Sequence, residues 1–302
     1  MRPFSFLLAL PVALALAAPV VGMTQSGTGE RAHPRRMVWD DLFARLRPAP
    51  DATLSYGADP LQIVDLWLPA GAGPHPTVLM VHGGCWQTDI AQRGIMNWIA
   101  DDLRHRGIAV WNIEYRGVDR PGGGYPGTFQ DVAAAADSLR AHAAHYRLDL
   151  SRLVAVGHSA GGHLALWLAA RPRLPQGSPL RTADPLPIHA AISLGGLPDL
   201  EEAARSENGC GNVVIGQLTS GHFDDTSVPR LAPLGIPQTL INGTEDRIIP
   251  TFYADGYARP MRAAGDDVTA RMIPETGHVE LVTPDTAAWT AAVVAIERAL
   301  GR

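Results

Sequence analysis

Cysteine is scarce: Cys85 and Cys210 are the only two in 302 residues. That excludes a small scaffold stapled by many disulfides. Four ligands with the spacing of a structural zinc site are also missing, so no metal is expected. Positive charge is short, with 25 Lys and Arg against 30 Asp and Glu, a net −5. This leaves no electrostatic case for nucleic acid or an anionic membrane surface as partner. No internal repeat is visible, which argues against a solenoid or propeller. Hydrophobic residues at 46% and charged residues at 18% are ordinary for a globular chain. The length suffices for one large domain or two small ones.

One uncharged apolar run stands out, Phe4–Ala18, preceded by Arg2. Small residues at Ala13, Ala15 and Ala17 fit an A-x-A cleavage site, so residues 1–22 read as a secretory signal peptide. The run is short for a span and lacks a stop-transfer flank. No cysteine follows it to carry a lipid, so no stable membrane anchor is expected. The mature chain is predicted to reach a periplasm or the outside of the cell. There Cys85 and Cys210 could pair, provided their Cα atoms come close enough.

Residues 23–50 read as a leader with one short helix over Asp40–Arg47, ending before Pro48. From 51 to 302 short apolar runs alternate with helical patterns. Strands are expected over Leu61–Leu68, Thr77–Val81, Ile108–Tyr115, Leu153–Val156, Ile188–Leu194, Pro237–Asn242 and Val268–Ile273. Helices are expected over Ile90–Arg106, Phe129–Tyr146, Gly162–Ala170, Phe252–Ala264 and Pro284–Leu300, the last capped by Thr283. Asp149–Arg152 reads as a turn into the fourth strand. Residues 195–229 show weak periodicity apart from a possible short helix at Glu201–Arg205, and their length suggests a lid or insertion. The alternation predicts an α/β fold, a mostly parallel central sheet with helices on both faces. Its working residues should lie beyond the carboxyl ends of the strands.

Three stretches carry chemistry. Gly157-His158-Ser159-Ala160-Gly161 joins a buried strand to an Ala- and Leu-rich helix. Small residues around Ser159 permit the sharp turn that would raise its hydroxyl at a helix N-terminus. A serine hydroxyl is a weak nucleophile without a base, and the base needs an orienting acid. Asp246, after the strand Gln238–Asn242, supplies the acid, with Glu245 as its direct rival. His278, past the last strand and before the last helix, supplies the base. His158 adjoins Ser159, and that adjacency points its side chain elsewhere. In His82-Gly83-Gly84-Cys85-Trp86, consecutive glycines let N–H groups turn toward a ligand. Gly83 and Gly84, with Cys85 as a further donor, could join the N–H of Ala160 in an oxyanion hole, where each donor contributes about 3–4 kcal/mol.

HGGCW, GHSAGGHLALWLA, NGTEDRIIP and TGHVELV together resemble the α/β-hydrolase superfamily. Within it the chain is similar to the HGG-x-W esterase branch, which includes hormone-sensitive-lipase-like, feruloyl/acetyl-xylan esterase-like and kynurenine-formamidase-like proteins. The resemblance covers about residues 61–300. It implies Ser159, Asp246 and His278 as a triad cleaving a small-molecule carboxylic ester without a cofactor. Cys85 stands where many of these esterases have a third glycine, which keeps a formamidase-type amidase open. A small peptidase with the same residue order stays open too, as does a non-catalytic binding protein. By analogy with the branch, residues 195–225 overhang the site, which would let Cys85 and Cys210 meet. Trp86 is a candidate substrate contact. Trp111 and Tyr125 could also line an acyl or alcohol pocket but better suit core packing, and His222, Asp224 and Asp225 read as solvated loop groups.

Overall fold

The inner strands of this chain are apolar on both faces, and the computed structural model shows why. It describes residues 35–302; the expected signal peptide and the leader up to residue 34 lie outside the described residues. Eight strands form one sheet: β1 Ala52–Ser55, β2 Ile63–Trp67, β3 His75–Val81, β4 Ala109–Ile113, β5 Leu148–His158, β6 Ala190–Leu194, β7 Gln238–Gly243 and β8 Val268–Ile273. Their order is β1-β2-β4-β3-β5-β6-β7-β8, antiparallel at β1/β2 and β2/β4 and parallel elsewhere. Alternate residues of one strand enter different cores, as period-two geometry requires. Leu79 and Val81 pack with Phe129, Leu164 and Trp167, whereas Val78 and Met80 pack with Ile99, Leu103 and Trp289. Strands buried on both faces need covering helices on both sides.

The helices are α1 Trp39–Phe43, α2 Asn97–His105, α3 Gly127–Tyr146, α4 Ala160–Ala170, α5 Leu200–Arg205, α6 Asn212–Thr219, α7 Phe223–Thr226, α8 Phe252–Ala263 and α9 Ala287–Ala299. Packing places α3, α4 and α8 on one face and α2 and α9 on the other. Among the described residues no helix is long and apolar enough to cross a membrane. The mostly parallel sheet flanked by helices is the architecture expected from the sequence.

Several boundaries differ, each for a physical reason. Strand β1 is not foreseen by the apolar pattern; it pairs antiparallel with β2, and its Thr53 hydroxyl donates to Asp65 at 2.6 Å. Asp149–Arg152 is not a turn but part of β5. Leu148 and Asp149 pair with His75 and Pro76, and the register then shifts before Val154 meets Val78, so the turn signals mark an irregularity within the strand. The helix expected from Ile90 begins as a 3-10 turn, Arg93–Met96, before α2. The last helix starts at Ala287 rather than at Pro284. Thr286 caps it by accepting from the Trp289 amide at 3.1 Å, while the Thr283 hydroxyl donates back to the Val279 carbonyl. Helix α1 ends at Phe43, short of Arg47. Between β6 and β7 the chain forms α5, α6 and α7 rather than one short helix.

Register fixes the working edge. Val81 of β3 is level with Gly157 of β5, Gly157 with Ser193 of β6, and Gly243 of β7 with Ile273 of β8. The segments that follow these strands, carrying Gly83–Trp86, Ser159, Gly195, Asp246 and His278, therefore emerge along one rim.

Candidate active site

Strand β5 ends at His158 and α4 begins at Ala160, so Ser159 alone turns the chain. Its backbone sits at φ 55°, ψ −124°, a region non-glycine residues rarely adopt. Such strain costs about 1–3 kcal/mol and persists only where neighbours enforce it. The neighbours are visible. The Ser159 amide donates to the Leu194 carbonyl at 2.8 Å, and its carbonyl accepts from Gly162 at 2.8 Å. A Cβ on Gly157 would lie 1.9 Å from the Gly161 carbonyl oxygen, and one on Gly161 would lie 2.2 Å from that of Val81. Only hydrogens fit there, which is why the serine is flanked by glycines.

Asp246 and His278 meet after β7 and β8. Asp246 Oδ2 and His278 Nδ1 are 2.6 Å apart, and both side chains are buried. Asp246 Oδ1 accepts from the Ile248 and Ile249 amides, both at 2.9 Å, so the turn itself aims the other oxygen at the ring. With Nδ1 donating to Asp246, Nε2 is the nitrogen left to take a proton. Glu245 goes elsewhere, pairing with Arg36 at 3.0 Å. Gly195, after β6 at φ 57°, makes room for the pair. A Cβ there would lie 3.3 Å from both Asp246 Oδ2 and His278 Nδ1.

The loop after β3 closes against the serine. A Cβ on Gly83 would lie 2.9 Å from the Ser159 Cβ, so the Gly83 backbone runs directly beside the turn. Gly84, Cys85 and Trp86 all have positive φ, at 104°, 51° and 53°. Among the described residues the amides of Gly83 and Gly84 take no part in the backbone hydrogen bonding of the turns and loops, and the Ala160 amide opens α4, where a helix offers its first N–H groups no internal acceptor. Cys85 is bonded to Cys210, with Cα atoms 5.3 Å apart, which joins this loop to the α5–α6 segment.

Behind the loop lies a buried polar chain that sequence reading missed. His82 Nδ1 faces the Gly83 carbonyl at 2.6 Å, and Nε2 faces Glu114 Oε1 at 2.8 Å. The ring stacks on Tyr115 at 4.4 Å, and the Tyr115 hydroxyl donates to the His82 carbonyl at 3.1 Å. Glu114 Oε2 accepts from the Arg93 amide at 3.0 Å. Burial opposes the charge of Glu114. The nearby His82, its hydrogen bond and the amides of Arg93 and Tyr115 nonetheless hold the carboxyl below its usual range. The only sequence signal is an acid ending an apolar strand, Ile113-Glu114-Tyr115.

Some expected roles change, while Trp111 keeps the core role expected of it. The Trp86 indole is fully buried and packs edge-on against His163 at 5.5 Å, so it supports the loop from within the core and offers no surface to a substrate. Trp111 is core, its Nε1 donating to the Ala135 carbonyl at 2.9 Å. Asp225 is not a solvated loop group. It is buried and accepts from the Tyr125 and Ser178 hydroxyls at 2.9 and 2.6 Å, while the His222 ring stacks on Tyr125 at 4.2 Å. The His158 side chain does leave Ser159, but it lands on His278, with ring centroids 4.3 Å apart.

Against known proteins, the BD-FAE family model matches residues 64–252, from β2 to the start of α8. The chain belongs to the BD-FAE family. It is 27% identical over 239 residues to "Esterase LipC" of Mycobacterium tuberculosis, an alignment covering 74% of this chain. The chain spans 58% of that relative's length. Among solved structures it is similar to a truncated carbohydrate esterase from gut microbiota, with TM-score 0.69, 19% identity, and coverage of 84% of this chain and 100% of the other. It is also similar to esterase B from Lactobacillus rhamnosis, with TM-score 0.72, 19% identity, and coverage of 87% and 89%. At such identities the likeness is one of fold, and the BD-FAE chain has the α/β-hydrolase architecture.

Proposed function

We propose that this BD-FAE chain is a serine hydrolase that cleaves small carboxylic esters through an acyl-enzyme. The carrying observation is the buried Asp246–His278 pair on the same rim as the strained Ser159 turn and the glycine loop beside it. Ser159 Oγ attacks the acyl carbon while Nε2 of His278 takes its proton. Asp246 steadies the imidazolium through Nδ1. The amides of Gly83, Gly84 and Ala160, with that of Cys85 nearby, receive the negative oxygen of the tetrahedral intermediate. Collapse breaks the acyl–oxygen bond, and the departing alcohol takes the proton back from Nε2. Water, deprotonated by His278, then releases the acid and regenerates the serine. No step needs a cofactor. The similar proteins named above are esterases, which supports the ester as substrate.

Export belongs to the same proposal. The N-terminal signal pattern supports it, and so does the Cys85–Cys210 bond, since disulfides persist where the environment is oxidising. The helical segment over residues 195–229 is proposed as the cover of the site, reached through that bond.

Ser159→Ala is expected to fold as the wild type does, because alanine fills the same space. It should lose hydrolysis of p-nitrophenyl acetate and labelling by a fluorophosphonate. Wild-type turnover in this variant would sink the mechanism. Parallel assays on an aryl ester, an N-formyl arylamine and an aminoacyl anilide should favour the ester.

A further inference from the structure

His158 is a buried histidine that the proposed reaction does not use. It is 1% exposed, and it borders Ser159, His278 and Gly83. Its backbone leads into Ser159. Its Nε2 lies 3.1 Å from the His278 carbonyl oxygen, an acceptor only, so Nε2 carries the proton and donates. Its ring lies against the His278 ring, tilted by 44° at 4.3 Å. Gly83 backs it from the third side: a Cβ built there would come within 3.1 Å of Nδ1 and 2.9 Å of the His158 carbonyl oxygen. From outside, the Trp39 indole meets the ring edge-on at 6.0 Å. The same N-terminal segment also ties down the His278 loop and the Asp246 loop, once each. The Met37 amide donates to Glu280 Oε1 at 2.9 Å, and Arg36 pairs with Glu245 beside Asp246.

Asp246 fixes the imidazole's tautomer and one edge, but a single hydrogen bond leaves the ring free to swing about the Nδ1–Oδ2 line. A second ring lying tilted against it, with a donor gripping its main-chain carbonyl, restricts that freedom. We propose that His158 is a positioning residue that sets the His278 imidazole toward Ser159, held in place by Trp39. The inference rests on the ester-hydrolase reading above. Burial, together with the nearby rings of His278 and His82, keeps the His158 imidazole well below its usual pKa. It therefore stays neutral beside the imidazolium that forms on His278 in the reaction.

The test uses the full chain as wild type, His158→Ala, His158→Gln and Trp39→Ala. Hydrolysis of p-nitrophenyl acetate is the first readout. The second is the far-downfield proton resonance of the His278 Nδ1–H bonded to Asp246. His158→Ala should lower kcat about 10- to 100-fold with KM within about twofold, as expected for a misaligned base rather than a lost binding contact. Its Nδ1–H resonance should broaden or shift. Glutamine places an N–H where Nε2 stood, so His158→Gln should recover most of the loss. Trp39→Ala leaves His158 present but unclamped and should lose about 3- to 10-fold in kcat. If His158→Ala does not fold, Trp39→Ala carries the same test. Wild-type kcat and an unmoved resonance in His158→Ala, or in Trp39→Ala where the alanine variant does not fold, would overturn the inference. A wild-type protein that turns over no ester would instead overturn the hydrolase reading, and the resonance would still decide the role of His158.

Discussion

Asp246 accepts hydrogen bonds from two backbone amides on Oδ1 and from His278 on Oδ2. An asparagine in its place would keep its oxygen toward the amides of Ile248 and Ile249 and turn its NH2 toward Nδ1. His278 would then carry its proton on Nε2, and no lone pair would face the serine. Asp246→Asn is therefore expected to fold normally and to lose about 10⁴-fold in kcat. Steady-state turnover of p-nitrophenyl acetate beside a thermal melt checks this; turnover within tenfold of wild type would remove Asp246 from the mechanism. At this scale the sequence is legible where a residue's place follows from chain order. Ser159, Asp246 and His278 each follow a strand, and parallel strands end on one rim. It is silent where a role depends on partners across the sheet. Glu114 meets His82 only because β4 lies beside β3, and His158 meets His278 only because their loops share that rim.

Elements are legible where turn signals bracket a run of sufficient length. Strand β8 is expected over Val268–Ile273 and is found there, because flanking turns bracket a short run. Strand β1, with alternating exposure and only four residues, gives no such run. Helices α6 and α7 are short, and their places depend on contacts with distant loops. The Gln217 carbonyl accepts from the Tyr125 amide at 3.3 Å, and the Thr226 carbonyl bonds His163 Nε2 at 2.9 Å. None of this is encoded in local periodicity. The Cys85–Cys210 bond is the strongest of these distant ties and closes a loop of 125 residues. Restricting so long a loop in the unfolded chain stabilises the fold by up to about 5 kcal/mol in the chain-entropy model. Replacing both cysteines by serine should lower the unfolding free energy by about 2–5 kcal/mol, read as an earlier urea midpoint with an unchanged far-UV spectrum. An unchanged midpoint would mean that the remaining contacts of the α5–α6 segment suffice.

The molecule as a whole is built to lose stability in acid. His163 lies between Trp86 and Phe129, with no exposed surface. Burial pushes it down to about 4, only partly opposed by its hydrogen bond to the Thr226 carbonyl. An unfolded chain would bind that proton near pH 6.5, so the folded form loses ground as pH falls from about 6.5 to about 4. The shift corresponds to about 3 kcal/mol. His158, also held low, adds in the same direction. Glu114, held below its usual value, adds a further loss as pH falls below 4.5. Urea titrations should show stability level above neutrality and declining steadily through this window. A curve that stays flat down to about pH 4 would show that His163 takes up its proton without opening the core.

The cystine has a mechanical consequence. It ties the Gly83–Cys85 loop to the α5–α6 segment, so neither moves alone. On the proposed mechanism, a bulky ester that levers that segment outward would drag the donors of this loop from the forming oxyanion in the same stroke. Discrimination by size would then register as slow turnover rather than as poor capture.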